Sequence, residues 1–488
     1  MTTEANVAAT QWEPVIGLEV HAQLLTRTKM FCRCGADYAS TAPNTRVCPV
    51  CLGLPGALPV INRKAIELTI RTGLAVGCSI ASFSRFDRKN YFYPDLMKGY
   101  QVSQYDHPLC ENGHLTFLVG TESRNARIKR VHLEEDTAKL THVNDLEGTA
   151  SLVDVNRGGV PLMEIVGEPD LRGAEEAREY LRALRSILRY IGVASGNMEE
   201  GSFRCDANVS VRPKGSDTYG TKVEIKNMNS FRSVYNALQF EIVRQAAILD
   251  AGGTLIQETR GWDDARGVTV SQRSKEFAHD YRYFPEPDLP SLTPDPAWIE
   301  AIRASMPELP AQRRDRYITS FGLSPYDATL LSTEREFAEF FDRSVALGGS
   351  AKSVANWMNG DVRRLMADSP IEAGKLTPDA LVELLLLLEK GEINRGQGQQ
   401  IIEVLFREGG TARAIAEERG FKQVSDESAL LELVDAAIAS NAKSVADFRA
   451  GKLNAIGFLV GQVMKATKGQ ANPSIVSAIL TRRLQDTV

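Results

Sequence analysis

Four cysteines crowd into twenty residues near the start of this 488-residue chain. Cys32 and Cys34 form a Cys-x-Cys pair and Cys48 and Cys51 a Cys-Pro-x-Cys pair, with thirteen residues between the pairs. Thiolates two or three positions apart on a tight knuckle can face one ion, and two knuckles supply the four sulfurs of a closed tetrahedral zinc site. Such a site holds a loop in place and leaves no open position for chemistry. Two disulfides or four unrelated thiols are the alternatives, but disulfides belong to oxidising compartments. The segment before Trp12 has neither the basic start nor the apolar core of a secretory leader. Structural Zn2+ and a cytoplasmic location are therefore expected.

The chemistry must come from other residues. The segment VIGLEVHAQL, residues 15–24, alternates without a fault, so Glu19 and His21 share the polar face of a strand, about 6.5 Å apart. Three consecutive acids, Glu134, Glu135 and Asp136, close a second strand, where they repel one another unless a cation or basic side chains sit among them. Glu164 lies between apolar neighbours in PLMEIV and needs a partner if it is ionised. Glu19, His21, Glu135 and Glu164 together have the hard, oxygen-rich character of a Mg2+ site.

The segment SFRCDANVSVR, residues 202–212, turns Phe203, Cys205, Ala207, Val209 and Val211 inward. Arg204, Asp206, Asn208, Ser210 and Arg212 then line the other face, joined by Lys222, Glu224 and Lys226 from a nearby strand. Charged and amide groups of both signs on one face suit a floor that binds phosphate and a polar substrate; a solvent-facing side of a sheet has the same pattern. Lys89 sits in DRKNYFYPD, where basic residues adjoin three aromatics, a pattern that fits stacked bases or core aromatics beside a turn. No GxxxxGK[ST], GxGxxG or HExxH occurs, so any nucleotide triphosphate must be held by metal and side chains on a sheet.

These residues need a scaffold, and the patterning describes one. A length of 488 residues suits two to four domains, and no apolar run approaches the length needed to span a bilayer. The formal charge of −5 argues against a generic nucleic-acid binder and leaves any basic surface to be local. One such stretch runs from Asn441 to Val488, with seven Lys or Arg against two Asp. Strand-like alternation dominates up to about residue 290, interrupted by helices over 174–191 and 231–251. The first helix carries Arg178, Arg182, Arg185 and Arg189 on its outer side, either paired with Glu175, Glu176 and Glu179 or available to phosphate. Prolines at 285, 287, 290, 294 and 296 mark a boundary, after which the pattern is helical, as in Leu381, Leu384, Leu385 and Leu388. The fold class is α+β, with a sheet domain over 1–295, a helical domain over 296–415 and a tail over 416–488. Cys78, Cys110 and Cys205 read as small core residues.

The segments VIGLEVHAQL, FDRKNYFYPDLMKGYQVSQYD, VHLEEDTAKL, VDVNRGGVPLMEIV, MEEGSFRCDANVSVRP, EIKNMNSF, DYRYFPEPDLP and GFLVGQVMKATKGQANP resemble the B subunits of the aspartyl/glutamyl-tRNA amidotransferases, and the likeness runs from residue 15 to 473. The resemblance implies a cradle-shaped, kinase-like N-terminal domain followed by helical and tail domains. It also implies a heterotrimer, completed by an amidase that releases ammonia from glutamine and by a small third subunit. The B subunit of such enzymes phosphorylates the side-chain carboxylate of misacylated Asp-tRNA(Asn) or Glu-tRNA(Gln) with ATP and lets ammonia displace the phosphate. Carried onto this chain, the Mg2+ ligands fall on Glu19, His21, Glu135 and Glu164, with Lys89 as a phosphate contact. Glu135, Lys89 and Asp206 are then the candidate catalytic residues, Lys89, Arg204 and Lys226 the candidate ATP contacts, and the basic tail a tRNA contact. Met97 stands where relatives commonly have proline. A zinc-containing, tRNA-binding scaffold without catalysis is the rival reading.

Overall fold

The computed structural model describes residues 11–145, 148–274, 281–367, 370–421, 427–449, 452, 454–467, 471 and 473–485. Lys468 and Asp486 of the basic tail lie outside them. The chain divides into two compact units, Met1–Leu309 and Pro310–Val488.

Strands dominate the first unit: β1 (Trp12–Gln23), β2 (Ser79–Ile80), β3 (Asp87–Asn90), β4 (Tyr100–Ser103), β5 (Cys110–Val119), β6 (Glu122–Glu135), β7 (Lys139–Asp145), β8 (Gly148–Asp154), β9 (Pro161–Gly167), β10 (Phe203–Pro213), β11 (Val223–Lys226), β12 (Glu258–Asp263), β13 (Val268–Ser274) and β14 (Phe284–Pro285). Nine of them form one sheet in the order β13-β12-β11-β10-β1-β9-β6-β5-β2, while β14-β3-β4 and β7-β8 form smaller sheets. Neighbours in the large sheet run antiparallel except β11 and β12. Its centre is β1, the segment with faultless alternation. Ile16, Leu18, Val20 and Ala22 are at most 2% exposed on one face, and the polar residues occupy the other.

Helices α1 (Arg63–Ala75), α2 (Ala174–Tyr190) and α3 (Phe231–Asp250) supply apolar side chains to that buried face. Asn62 caps α1 by accepting from the Lys64 and Ala65 amides, and Ser230 caps α3 by accepting from the Ser233 amide. On α2, Ala177, Leu181, Leu184 and Leu188 are fully buried, at the three- and four-residue spacing of one helical stripe. On its outer side, Arg178 pairs with Glu175 and Glu179 and Arg182 with Glu179, so these two are ion-paired, while Arg185 donates to the Gly196 carbonyl at 2.6 Å. Cys78, Cys110 and Cys205 are buried, as small core residues should be.

A fourth helix, α4 (Pro296–Ala304), follows the proline-rich stretch but belongs to the first unit. Ile302 is buried in its core and the Arg63 guanidinium lies 4.8 Å from the Trp298 ring centre. The compact unit therefore closes at Leu309 rather than at the prolines, because α4 packs back on α1. The described elements of the second unit are all helical, from Pro310–Phe321 to Pro473–Gln485. They surround two apolar clusters, one built on Phe337, Phe341, Trp357, Leu381 and Ile401, the other on Leu430, Val434, Leu459, Val463 and Leu480. Among the described residues no helix is long and apolar enough to cross a membrane.

Candidate functional site

Register across the sheet turns isolated polar residues into a row. His21 on β1 lies opposite Arg204 on β10 and opposite Glu164 on β9; Glu164 in turn lies opposite His132 on β6, and Glu19 opposite Asp206. Because paired residues point to the same side of a sheet, these side chains must meet at the spacing of adjacent strands. His21 Nε2 is 3.4 Å from Glu164 Oε2, 3.5 Å from Glu134 Oε1 and 3.8 Å from Glu19 Oε1. His132 Nε2 approaches the same Glu164 oxygen at 3.5 Å.

Three carboxylates in so small a space cannot all carry charge without compensation. Burial, followed by the charge of Glu164, pushes Glu134 up to about 7. Burial and the charges of Glu164 and Asp206 likewise raise Glu19 above the ordinary carboxylate range. Burial opposes charge on His21, yet its hydrogen bond to Glu164 and the nearby charges of Glu134, Glu164 and Glu19 raise it to about 9. Burial keeps His132 neutral, pushed down to about 4. Glu164 stays ionised well below the usual range despite its burial, and with His132 uncharged at neutral pH it is His21 and Lys89 that hold it so. Lys89, on β3 of the small sheet, is kept protonated against burial by Glu134, Tyr283 and Glu164, and its ammonium lies 5.1 Å from the Tyr281 ring centre. Two of three carboxylates are thus starved of positive charge, and a divalent cation would supply it. The donor set of carboxylate oxygens and imidazole nitrogens fits one, since Glu19, His21 and Glu164 each offer an atom within 4.8 Å of the others.

The structure does not bring Glu135 into this group. Successive residues on a strand face opposite ways, so Glu134 joins His132 and the cluster, while Glu135 turns to the other side. There it pairs with Lys98 at 2.6 Å and accepts from the Val102 amide at 3.0 Å. It lines a separate cavity of about 200 Å³ with Lys29, Lys98, Tyr100 and Cys51. The expected grouping of Glu135 with Glu19, His21 and Glu164 is corrected accordingly. Alternation already carried the signal: Val131 and Leu133 are core residues, which leaves His132 and Glu134 for the polar face.

The remaining candidates line the same stripe. Lys226 on β11 makes an ion pair with Asp206 and lies 3.2 Å from Glu224, and Arg204 donates to Asp136 at 2.7 Å. Asp136 also accepts from Gln23 at 2.7 Å and lies 3.7 Å from Arg157. Burial notwithstanding, Arg204 and Arg157 hold Asp136 below the usual carboxylate range. Beside Glu19 a cavity of about 260 Å³ opens between Gly17, Gly167 and Pro169 on one side and Asn208, Ser210 and Lys222 on the other.

The cysteines gather as their spacing predicts. Cys32, Cys34, Cys48 and Cys51 present sulfurs all within 4.8 Å of one another, with Cys48 and Cys51 3.9 Å apart. Zinc–sulfur bonds of about 2.3 Å in tetrahedral array place sulfurs roughly 3.8 Å apart, so the four fit Zn2+. Gly159 closes the turn beside them at φ +84°, and its carbonyl accepts from the Met30 amide at 2.7 Å, anchoring the segment that leads to Cys32.

The fold and its two clusters define an α+β protein with a candidate divalent-cation centre on a sheet face and a separate candidate structural zinc centre. Residues 14–300 match the GatB/GatE catalytic domain and residues 339–484 the GatB domain. A protein of Dehalococcoides mccartyi, named as the B subunit of aspartyl/glutamyl-tRNA(Asn/Gln) amidotransferase, is 53% identical over 490 residues, covering 98% of this chain and 100% of its own. Proteins of the same name from Thermodesulfovibrio yellowstonii and Moorella thermoacetica are 53% and 54% identical, over 98% and 97% of this chain and 100% of theirs. The chain belongs to the GatB family.

Proposed function

We propose that the chain is the B subunit of a glutamine-dependent aminoacyl-tRNA amidotransferase, an ATP-dependent carbon–nitrogen ligase that converts Asp-tRNA(Asn) or Glu-tRNA(Gln) to Asn-tRNA(Asn) or Gln-tRNA(Gln). The observation that carries the reading is the convergence of Glu19, His21, Glu134 and Glu164 beside Lys89, in a chain 53% identical over nearly its whole length to proteins of that name. A partner amidase supplies ammonia from glutamine, and a small third subunit makes up the heterotrimer. The sheet unit, which with α4 closes at Leu309, is the kinase-like cradle, followed by a helical domain up to about residue 415 and a tail over 416–488 that contacts tRNA. The location is the cytoplasm.

A carboxylate resists amidation because oxide is a forbidding leaving group. Transfer of the γ-phosphoryl of ATP to the side-chain oxygen gives an acyl phosphate and ADP; ammonia then attacks the carbonyl carbon and phosphate departs. A bound Mg2+ would be held by Glu19, His21, Glu134 and Glu164 and would offset charge on the transferring phosphoryl group. The nucleoside occupies the cavity lined by Gly17, Pro169, Asn208, Ser210 and Lys222, which opens directly beside Glu19. Lys89 meets the γ-phosphate from the opposite small sheet. Arg204 and Lys226 take phosphate oxygens, and Asp206 holds Lys226 in place for that contact. Glu135 and Lys98 pair on the other side of the strand, away from this cluster.

The test is ATP turnover by the purified heterotrimer with Glu-tRNA(Gln) and with Asp-tRNA(Asn). ADP should form only with a misacylated tRNA, and glutamine should yield the amidated product. tRNA binding without stimulated ATP turnover would favour the scaffold. Glutamine-dependent amidation by this polypeptide alone would refute the division of labour.

A further inference from the structure

We propose that Arg130 and the stacked rings of Tyr105 and Tyr283 seat the 3′ end of the acceptor tRNA, the rings taking its terminal base and the guanidinium the adjoining phosphate. The inference rests on the aminoacyl-tRNA reading above and names where that substrate enters. Arg130 precedes His132 and Glu134 on β6 at the two-residue period that puts all three on the polar face of the sheet. It lies opposite Val166 of β9, and Glu19 of β1 lies opposite the same residue from the other side. Two strand spacings, about 10 Å, therefore separate Glu19, beside the nucleoside cavity, from Arg130, and the strand that bears Glu164 runs between them. An acceptor arriving from the β6 side meets a nucleotide held on the β1 side across the acid cluster, as transfer between two substrates requires.

What Arg130 lacks is a counter-ion. Among the described residues its side chain makes no hydrogen bond or ion pair, and its Nε is buried without a partner. Its one close contact is with Tyr105, whose ring centre lies 5.9 Å from the guanidinium carbon. A guanidinium presents five donors in a planar fork that matches phosphate oxygens, and leaving them idle at a half-buried position is unfavourable unless a ligand uses them. The aromatics are an independent observation. Tyr105 and Tyr283 stack at 4.1 Å with planes 9° apart, Tyr283 meets Tyr281 edge-on at 6.1 Å, and Tyr105 stays 45% exposed. The Lys89 ammonium lies 5.1 Å from the Tyr281 ring centre, so the row of rings runs from the acids out to the exposed Tyr105. Bases splayed from a single-stranded RNA end stack on such rings, whereas paired bases offer no free face. The carboxylate to be phosphorylated is joined to the terminal ribose by a few bonds, so the terminal base must come to rest near the cluster.

The experiment binds tRNA(Gln) carrying 2-aminopurine in place of its terminal adenine to the purified heterotrimer, reading probe fluorescence, tRNA affinity and, in parallel, affinity for adenylyl-imidodiphosphate. Stacking should quench the probe on binding. Tyr105→Leu should lose the quench and weaken tRNA binding by about 5- to 100-fold, while Tyr105→Phe keeps both. Arg130→Gln should weaken tRNA binding and lower the slope of its salt dependence by about 0.7, the share of one single-strand phosphate. Neither Tyr105→Leu nor Arg130→Gln should further weaken a tRNA that already lacks its terminal nucleotide, a result that a merely structural role would not give, and analogue affinity should hold within about twofold. An unquenched probe on tRNA bound to the unaltered heterotrimer would overturn the seat and leave the function standing; no tRNA bound at all would overturn both. A quench that survives Tyr105→Leu would remove the rings, and loss of the analogue rather than of tRNA in Arg130→Gln would remove the phosphate contact. Because the unaltered heterotrimer can itself show an unquenched end, the seat stays refutable even if the variants misfold.

Discussion

At Glu134 and Glu135 one step along a strand separates two different environments. Glu134 is pushed up to about 7 by burial and by Glu164, whereas Glu135 is neutralised by Lys98 behind the sheet. Glu134→Gln should therefore weaken Mn2+ binding at least tenfold and slow tRNA-dependent ATP turnover on the order of a hundredfold, the scale of losing a major electrostatic contributor. Glu135→Gln should leave Mn2+ affinity within about twofold. Calorimetric titration of both variants checks the pair, and equal losses of affinity would refute the assignment. The thiol cluster gives a second test at this scale. Cys51 is buried and its sulfur accepts from the Cys48 amide at 3.1 Å, so Cys51→Ser should drop zinc content from about one per chain to near zero and lower thermal stability. Metal analysis of the purified protein reads this directly; full alkylation of all four thiols in the native unaltered protein would exclude zinc.

Elements converge on Asp136, which follows β6 and ties Gln23 of β1 to Arg204 of β10. Its folded-state pKa is depressed, so the network stabilises the fold above about pH 4, the ordinary range of an unfolded Asp, and is lost as pH falls through the folded value. Asp136→Asn should destabilise the first unit by about 1.5–3 kcal/mol at pH 7, the range for hydrogen bonds to charged groups. The gap between variant and unaltered protein in urea unfolding should narrow as pH drops below 4; a gap constant with pH would rule out the linkage. Helix α2 offers an apolar counterpart: Leu184 is fully buried against the sheet, and Leu184→Ala should cost about 2–5 kcal/mol.

For the whole molecule, the basic tail is the testable part. Lys452 pairs with Asp447 and Arg483 with Asp435 at exposed positions, so some of its charge is already compensated. Removing residues 425–488 should still weaken tRNA affinity and flatten its salt dependence while nucleotide binding persists, because phosphate contacts release counterions. Unchanged affinity over several salt concentrations would return the tail to plain solvated surface. Much of this protein was legible along the chain. Cysteine spacing foretold the thiol cluster, since ligands on tight knuckles are neighbours by covalent geometry, and period-two alternation assigned the inner and outer faces of β1 and β10. The same period singles out His132 and Glu134 rather than Glu135, once Val131 and Leu133 are taken as core. What no local pattern could supply was the order β10-β1-β9-β6 and its register, which set Arg204, His21, Glu164 and His132 side by side across strands far apart in sequence. Nor could it bring Lys89 from a separate small sheet over the acids, or pack α4 beyond the prolines into the first unit. Side-chain direction is a property of adjacent residues and their dihedral angles; strand partnership is decided by burial of the whole apolar face, and only the assembled sheet shows which polar groups that burial forces together.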